Sequence, residues 1–300
     1  PLVIGVGKGE NFLASDPSAI IGKTRDFIYL KDGEVAEITR DKINIYNLEN
    51  QPTPLEIVRL EWSLEQAQKG DFPHFMLKEI FEGPEVVRSA FKGRLKAGEN
   101  SVKLGGLEQI SDKFKKIKRL IILACGTSYY AGLIGEYLFE EIAGVPTEVH
   151  FASEFRYREE PFEEGTAVLA ISQSGETADT LAALRKAKEK GLLTLGIVNT
   201  VGSTIARETD AGVYNHAGPE IGVASTKAFL SQITVLVLMA VYSSKDNSLT
   251  ENLLKELEKI PEKIEKILLQ APVIGKLALK YKDYDNFLFI GRLYNYQTAL

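Results

Sequence analysis

The sequence predicts a doubly wound α/β fold, a mainly parallel sheet with helices on both faces, preceded by a strand-rich segment. Two stretches carry the prediction. The apolar run 167–171 (AVLAI) ends abruptly in Ser172-Gln173-Ser174-Gly175-Glu176-Thr177, and Leu181, Leu184 and Ala187 then recur at helical spacing. Residues 119–124 (RLIILA) end likewise in Cys125-Gly126-Thr127-Ser128, ahead of Tyr130, Leu133, Ile134, Tyr137 and Leu138. Strand, polar turn and helix repeated in that order are the units of a parallel sheet.

The elements follow along the chain. Leu2-Val3-Ile4 predicts a short strand, and Asp16-Pro17 a helix opening with Asp as N-cap and Pro at the first helical position. Phe27–Leu30 and Val35–Ile38 flank Lys31-Asp32-Gly33-Glu34, a hairpin signal. Residues 43–46 predict a further strand. Gly5, Gly7 and Gly9 lack the third glycine of a dinucleotide fingerprint at its spacing and read as turn glycines. From about Asn47 to Pro73 the chain turns polar, the composition of a connection. From Leu120 to Tyr214 strands are expected at 120–124, 147–151, 167–172, 193–198 and 211–214. Helices are expected at 128–142, 177–190 and 223–244. Residues 251–269 predict an amphipathic helix interrupted near Pro261. Leu288–Gly291, with Tyr294 and Tyr296, echoes Leu123–Gly126 with Tyr129 and Tyr130, a partial internal repeat.

The two hydroxyl-rich turns carry the chemistry. Each joins a strand end to a helix N-terminus, where free backbone N–H groups and the helix dipole favour an anion. Ser172, Ser174 and Thr177 add neutral donors. The turn has no lysine and no Walker pattern, so a small-molecule phosphate fits better than a nucleoside triphosphate. The alternative, that these residues only cap the helix, stays open. Two such turns fit one crevice at the carboxyl edge of a parallel sheet.

The segments CGTSYYAGL, ASEFRY (152–157), SQSGETADT and EIGVASTKAF (220–229) resemble the first sugar-isomerase (SIS) domain of the glucosamine-6-phosphate synthase family, the glutamine–fructose-6-phosphate aminotransferases. GENFLASD and EITR (37–40) resemble the end of that family's glutaminase domain, an N-terminal-nucleophile hydrolase. The resemblance implies 1–60 as the end of the glutaminase domain and 61–73 as a linker. It implies 74–270 as the first SIS domain and 271–300 as the start of a second. The chain is thus expected to be an internal piece of a longer protein. The implied substrate is fructose 6-phosphate, with Ser172, Ser174 and Thr177 holding its phosphate and Thr127 assisting. Ser128 and Gln173 match residues that contact the sugar hydroxyls, and Val223 one that contacts the amino sugar. Cys125, Gly126, Gly175 and Ala224 are expected to line the site. In the family, ammonia from glutamine reaches the sugar C2 carbonyl and the imine isomerises to glucosamine 6-phosphate. The base for that step, the Schiff-base lysine and the glutaminase nucleophile are all expected outside this chain, so no catalytic residue is assigned within it.

Residue types that invite other roles have simpler readings. Glu176 suits the first turn of a helix, and Lys227, His74, His150 and His216 read as structural. No His/Cys/Asp cluster has metal-ligand spacing, so neither metal nor cofactor is expected. A net charge of −5 with scattered Lys and Arg gives no basic face for nucleic acid. One cysteine in 300 residues excludes an internal disulfide and suits a reducing cytoplasm. The opening PLVIGVGKGENF shows no secretory signal, and the uncharged run from Ala228 to Ser244 reads as a buried helix rather than a membrane span. A homodimer is expected from the resemblance. Two other readings remain, a stand-alone phosphosugar isomerase and a sugar-phosphate-sensing regulator. The hairpin-rich leader and the acidic charge disfavour the second.

Overall fold

The computed structural model describes residues 2–15, 17–60, 68–95, 101–159, 161–244 and 247–300. The leader contains strands β1 (Val3–Val6), β2 (Asn11–Ala14), β3 (Asp26–Tyr29), β4 (Glu34–Ile38), β5 (Ile43–Asn47), β6 (Pro52–Thr53) and β7 (Val58–Arg59). They form two antiparallel sheets, in the orders β2-β1-β3-β7 and β4-β5-β6. The expected hairpin across Lys31–Glu34 does not form. The tight turn is there, with Glu34 N–H donating to the Lys31 carbonyl at 3.1 Å and Gly33 at φ +81°. The strands on either side of it join different sheets. Phe27 and Ile28 are both buried, so β3 sits inside its sheet with both edges taken by β1 and β7. β4 instead alternates in burial and pairs with β5. Pro17–Ala19 is only a 3₁₀ turn, and its expected cap, Asp16, lies outside the described residues, as do 61–67 of the expected linker.

Helices α1 (Phe75–Phe81) and α2 (Gly83–Phe91) lead into the second half of the chain. His74 caps α1, its Nδ1 accepting from Leu77 N–H at 3.2 Å. Then come β8 (Arg119–Ala124), α3 (Thr127–Leu138), β9 (Thr147–Phe151), β10 (Thr166–Ser172) and α4 (Ala178–Glu189). β11 (Leu193–Val198), α5 (Thr204–Glu208), β12 (Ala211–Tyr214), α6 (Lys227–Ser243) and α7 (Asn247–Leu268) follow. The five strands from β8 to β12 form one parallel sheet, in the order β12-β11-β10-β8-β9.

Side chains on a strand alternate between faces, so an all-apolar strand needs a cover on both. Leu120, Ile122, Ala124, Leu169 and Ile171 join the cluster that contains Val235, Leu236 and Met239 of α6. Ile121, Leu123 and Val168 point the other way, onto Ala183 and Ala187 of α4. Each fully buried aliphatic side chain here contributes about 1.5–3 kcal/mol. Helix α6 is buried for most of its length and is the core helix the sequence predicts. Among the described residues no helix is long and apolar enough to cross a membrane.

Helix α7 runs through Pro261 without a break. Its apolar stripe (Leu254, Leu257, Ile260) stays packed on the core and Arg88 of α2 pairs with Glu265 beyond the proline, so contacts hold the helix on both sides of it. The run Phe287–Ile290, expected to open a second domain, pairs with no strand among the described residues and remains 60–88% exposed. Helix α8 (Ala271–Tyr281) buries no residue. Helix α9 (Tyr294–Ala299) folds back on α3, with the Tyr294 ring 5.5 Å from Tyr137 and its hydroxyl donating to Glu141 at 2.6 Å.

Candidate functional site

The sheet order places the site. From β8 the chain moves outward to β9, then crosses back to β10 on the other side of β8. The order therefore reverses between β8 and β10, the kind of switch point at which open α/β sheets hold ligands beyond their carboxyl ends. Both hydroxyl-rich turns leave the carboxyl ends of these two strands.

The first turn is Cys125-Gly126-Thr127-Ser128. Gly126 adopts φ +58°, ψ −139°, with nothing within 4 Å of where a Cβ would stand. Glycine is needed there for backbone conformation, not for room. Thr127 begins α3, whose N-terminus has no side-chain cap. Ser128 is buried, and its Oγ accepts from Gln232 Nε2 of α6 at 2.9 Å. The Cys125 thiol is half-buried, 4.0 Å from the Thr180 hydroxyl.

The second turn is tied inward. Ser172 Oγ lies 2.9 Å from Thr177 Oγ1 and accepts the Gly175 N–H at 3.0 Å, while Ser174 Oγ accepts the Glu176 N–H at 3.1 Å. These bonds shape the turn; they do not cap the helix after it. Thr177, the residue ahead of α4, makes no side-chain cap bond, so capping alone does not explain these hydroxyls. The α4 N-terminus follows directly on this turn, and its dipole favours an anion there. Gly175 has φ +67°, and a Cβ on it would fall 2.0 Å from Ser203 Oγ. The Gln173 carbonyl accepts from Asn199 N–H at 3.2 Å, joining this turn to the end of β11.

Glu176 is no free base. Its Oε1 accepts the Thr204 N–H at 2.7 Å, at the first turn of α5. Lys227 is 3% exposed and ion-paired with Glu82 at 2.6 Å. His150 lies 3.4 Å from Glu148. Val223 is fully exposed and Ala224 is exposed, on a separate loop ahead of α6. The structure thus brings Cys125–Ser128 and Ser172–Thr177 to one sheet edge and carries Val223–Ala224 on another loop.

Sequence reasoning missed the supports. Gln232 reaches Ser128 from α6, and Ser203 lies buried under Gly175. Arg156 pairs with Asp179 in the first turn of α4 at 2.7 Å. Glu79, 1% exposed, accepts the N–H groups of Ile221 and Gly222. Its only sequence signal is a carboxylate set among Phe75, Met76, Leu77 and Ile80 on a short helix. Among the described residues no cluster of three His, Cys, Asp or Glu is placed to hold a metal ion.

Residues 113–242 match the SIS domain model. Over its whole length the chain is 52% identical to a glutamine–fructose-6-phosphate aminotransferase (isomerizing) of Chlorobaculum tepidum and 49% identical to that of Aquifex aeolicus. It spans about half the length of these curated relatives, 50% and 49%. The C-terminal domain of glucosamine-fructose-6-phosphate aminotransferase from Francisella tularensis superposes with a TM-score of 0.73 at 36% identity, over 77% of this chain and 66% of that one. A phosphosugar isomerase structure from Silicibacter pomeroyi gives 0.51 at 25%, over 63% and 55%. With an SIS domain at its centre and such kinship along all its residues, this chain belongs to the glutamine–fructose-6-phosphate aminotransferase family.

Proposed function

We propose that the chain is the sugar-phosphate-binding segment of a bifunctional amidotransferase. That enzyme would make D-glucosamine 6-phosphate and L-glutamate from D-fructose 6-phosphate and L-glutamine. One observation carries the reading: the paired hydroxyls of Ser172 and Thr177, with Ser174 beside them, stand at the switch point between β8 and β10, ahead of an uncapped α4. A phosphate dianion suits hydroxyl and backbone donors at a helix N-terminus, and needs no lysine there. Thr127 assists from the facing turn. Ser128 and Gln173 take the sugar hydroxyls, and Val223 meets the amino sugar. Cys125, Gly126, Gly175 and Ala224 line the pocket.

The segment holds and orients the sugar. The acid–base group that moves the proton between C2 and C1, and the nucleophile that releases ammonia, are assigned to other segments of the polypeptide. Residues 1–60 are read as the end of the glutaminase domain, 61–73 as the linker, 74–270 as the first SIS domain and 271–300 as the start of the second. The proposed enzyme is a cytoplasmic homodimer.

Calorimetric titration with fructose 6-phosphate tests the assignment. Changing Ser174 and Thr177 together to Ala should weaken binding by about 2–4 kcal/mol, from two hydrogen bonds lost to a charged group. Unchanged affinity in a folded double variant rejects the phosphate role.

A further inference from the structure

The loop that carries Val223 and Ala224 is clamped at both ends by carboxylates. On the α6 side, Glu220 Oε1 accepts the N–H groups of Thr226 and Ala228 at 2.8 and 3.2 Å, and its Oε2 accepts the Ser225 hydroxyl at 2.7 Å. On the other side the clamp comes from far away in sequence. Glu79 of α1 accepts Ile221 N–H at 2.6 Å and Gly222 N–H at 3.0 Å through Oε1, with Oε2 3.2 Å from the Gly222 nitrogen. The fit leaves no room. A Cβ on Gly222 would lie 2.5 Å from Glu79 Oε2 and 3.4 Å from the Met76 Cα. Three residues further along α1's course, Glu82 bonds both Lys78, at 3.1 Å, and the buried Lys227 at the start of α6, at 2.6 Å. The exposed Val223–Ala224 tip therefore stands on a base whose backbone is fixed to α1 and α6.

A buried carboxylate is costly unless its lone pairs are filled, and an apolar residue at position 79 would suit the face of α1 without that cost. An apolar residue there would instead leave two backbone N–H groups without an acceptor. The carboxylate at position 79 thus serves the loop rather than its own helix. We propose that Glu79 is a positioning residue for the sugar site: it fixes the Ile221–Gly222 backbone so that Val223 and Ala224 present to the sugar. This rests on the sugar-site reading of Val223 given above. Glu79 itself touches no substrate. It sets which sugar phosphates the loop accepts, while the phosphate turn at Ser172–Thr177 works independently.

The test separates the two roles with two probes, glucosamine 6-phosphate and inorganic phosphate, titrated calorimetrically into the 300-residue chain. Glu79→Leu should weaken glucosamine 6-phosphate binding about tenfold and leave inorganic phosphate unchanged. Glu79→Gln should restore most of the affinity, since its amide oxygen still accepts from Ile221 and Gly222. Amide exchange at those two residues should quicken in Glu79→Leu and not in Glu79→Gln. Equal losses for both probes would mean a merely structural role and overturn the proposal, as would wild-type affinity for both. If Glu79→Leu does not fold, Gly222→Ala takes its place: it pushes the loop off an intact Glu79 and should show the same selective loss, and no loss overturns the proposal. A wild-type chain that binds neither probe removes the sugar-site reading, and this inference with it.

Discussion

Gly175→Ala puts the geometry of the phosphate turn under direct strain. Gly175 sits at φ +67°, where a side chain costs about 1–2 kcal/mol. The added methyl would also fall 2.0 Å from Ser203 Oγ and 2.5 Å from Ser203 Cβ. Ser203 is fully buried and heads α5, which is tied to the turn through Ile205 N–H donating to the Gly175 carbonyl at 3.0 Å. It has no free direction to retreat, so overpacking adds about 1–3 kcal/mol. Gly175→Ala should therefore lose about 2–5 kcal/mol of stability, or bind fructose 6-phosphate correspondingly less well if the turn opens locally. The two costs can be separated. Ser203→Gly alone should be nearly neutral, because the Ser203 hydroxyl makes no hydrogen bond and no cap bond to α5. Combined with Gly175→Ala it removes the clash and leaves the φ cost, so about 1–3 kcal/mol should return. Urea unfolding of the four proteins gives this cycle directly. Stability of Gly175→Ala within about 0.5 kcal/mol of wild type, or a double variant no more stable than Gly175→Ala, would refute the account of the turn.

Two further outcomes follow from charge and exposure. Burial, with Glu140 and Glu148 nearby, pushes the Glu136 carboxyl above its ordinary 4.5. A raised carboxyl stabilises the fold below its unfolded value and loses that contribution as pH rises through the folded one, so the ionised group opposes folding at neutral pH. Glu136→Gln should raise Tm at pH 7.5, with the gain shrinking toward pH 4; an equal gain at both pH values contradicts the sign. The exposed Val273, Ile274, Leu277 and Phe287–Ile290 form an apolar stretch that should make the 300-residue chain self-associate. Ending the chain at Leu269 should reduce light scattering at equal concentration, and a monodisperse 300-residue chain would show that this stretch is not the sticky surface.

The parallel sheet was legible because its strands are buried on both faces. Arg119–Ala124 and Thr166–Ser172 contain almost nothing but apolar residues, and such runs stop where the core stops, so their ends fall within a residue of the expectation. The leader was harder. Lys31-Asp32-Gly33-Glu34 specifies a turn, and the turn is present. A turn does not specify which strands pair across it. Phe27 and Ile28, adjacent and both apolar, are the sign in the sequence that β3 belongs in the interior of a sheet, where both are buried. Pro261 misled for a related reason. Removing one backbone donor costs a helix locally, but Leu254, Leu257 and the Arg88–Glu265 pair act on both sides of the gap.

The site divides the same way between local and distant causes. The hydroxyls of Ser172, Ser174 and Thr177 make their hydrogen bonds within six residues, so the motif and the geometry of the turn are nearly one object. The groups that hold the site come from elsewhere: Gln232 is 104 residues from Ser128, and Glu79 is 142 from Ile221. The apolar neighbours Phe75, Met76, Leu77 and Ile80 mark Glu79 only weakly against the exposed carboxylates on neighbouring helices. The difference lies in the partner, because the Glu79 acceptors face backbone N–H groups of a loop that has no regular structure to satisfy them. Loops of that kind need an outside acceptor, and Gly222, which leaves space for the carboxylate to approach, is the mark it leaves in the sequence. A glycine next to an exposed apolar tip, with a buried carboxylate on a helix across from it, is therefore the pattern by which a positioned binding loop can be sought before its ligand is known.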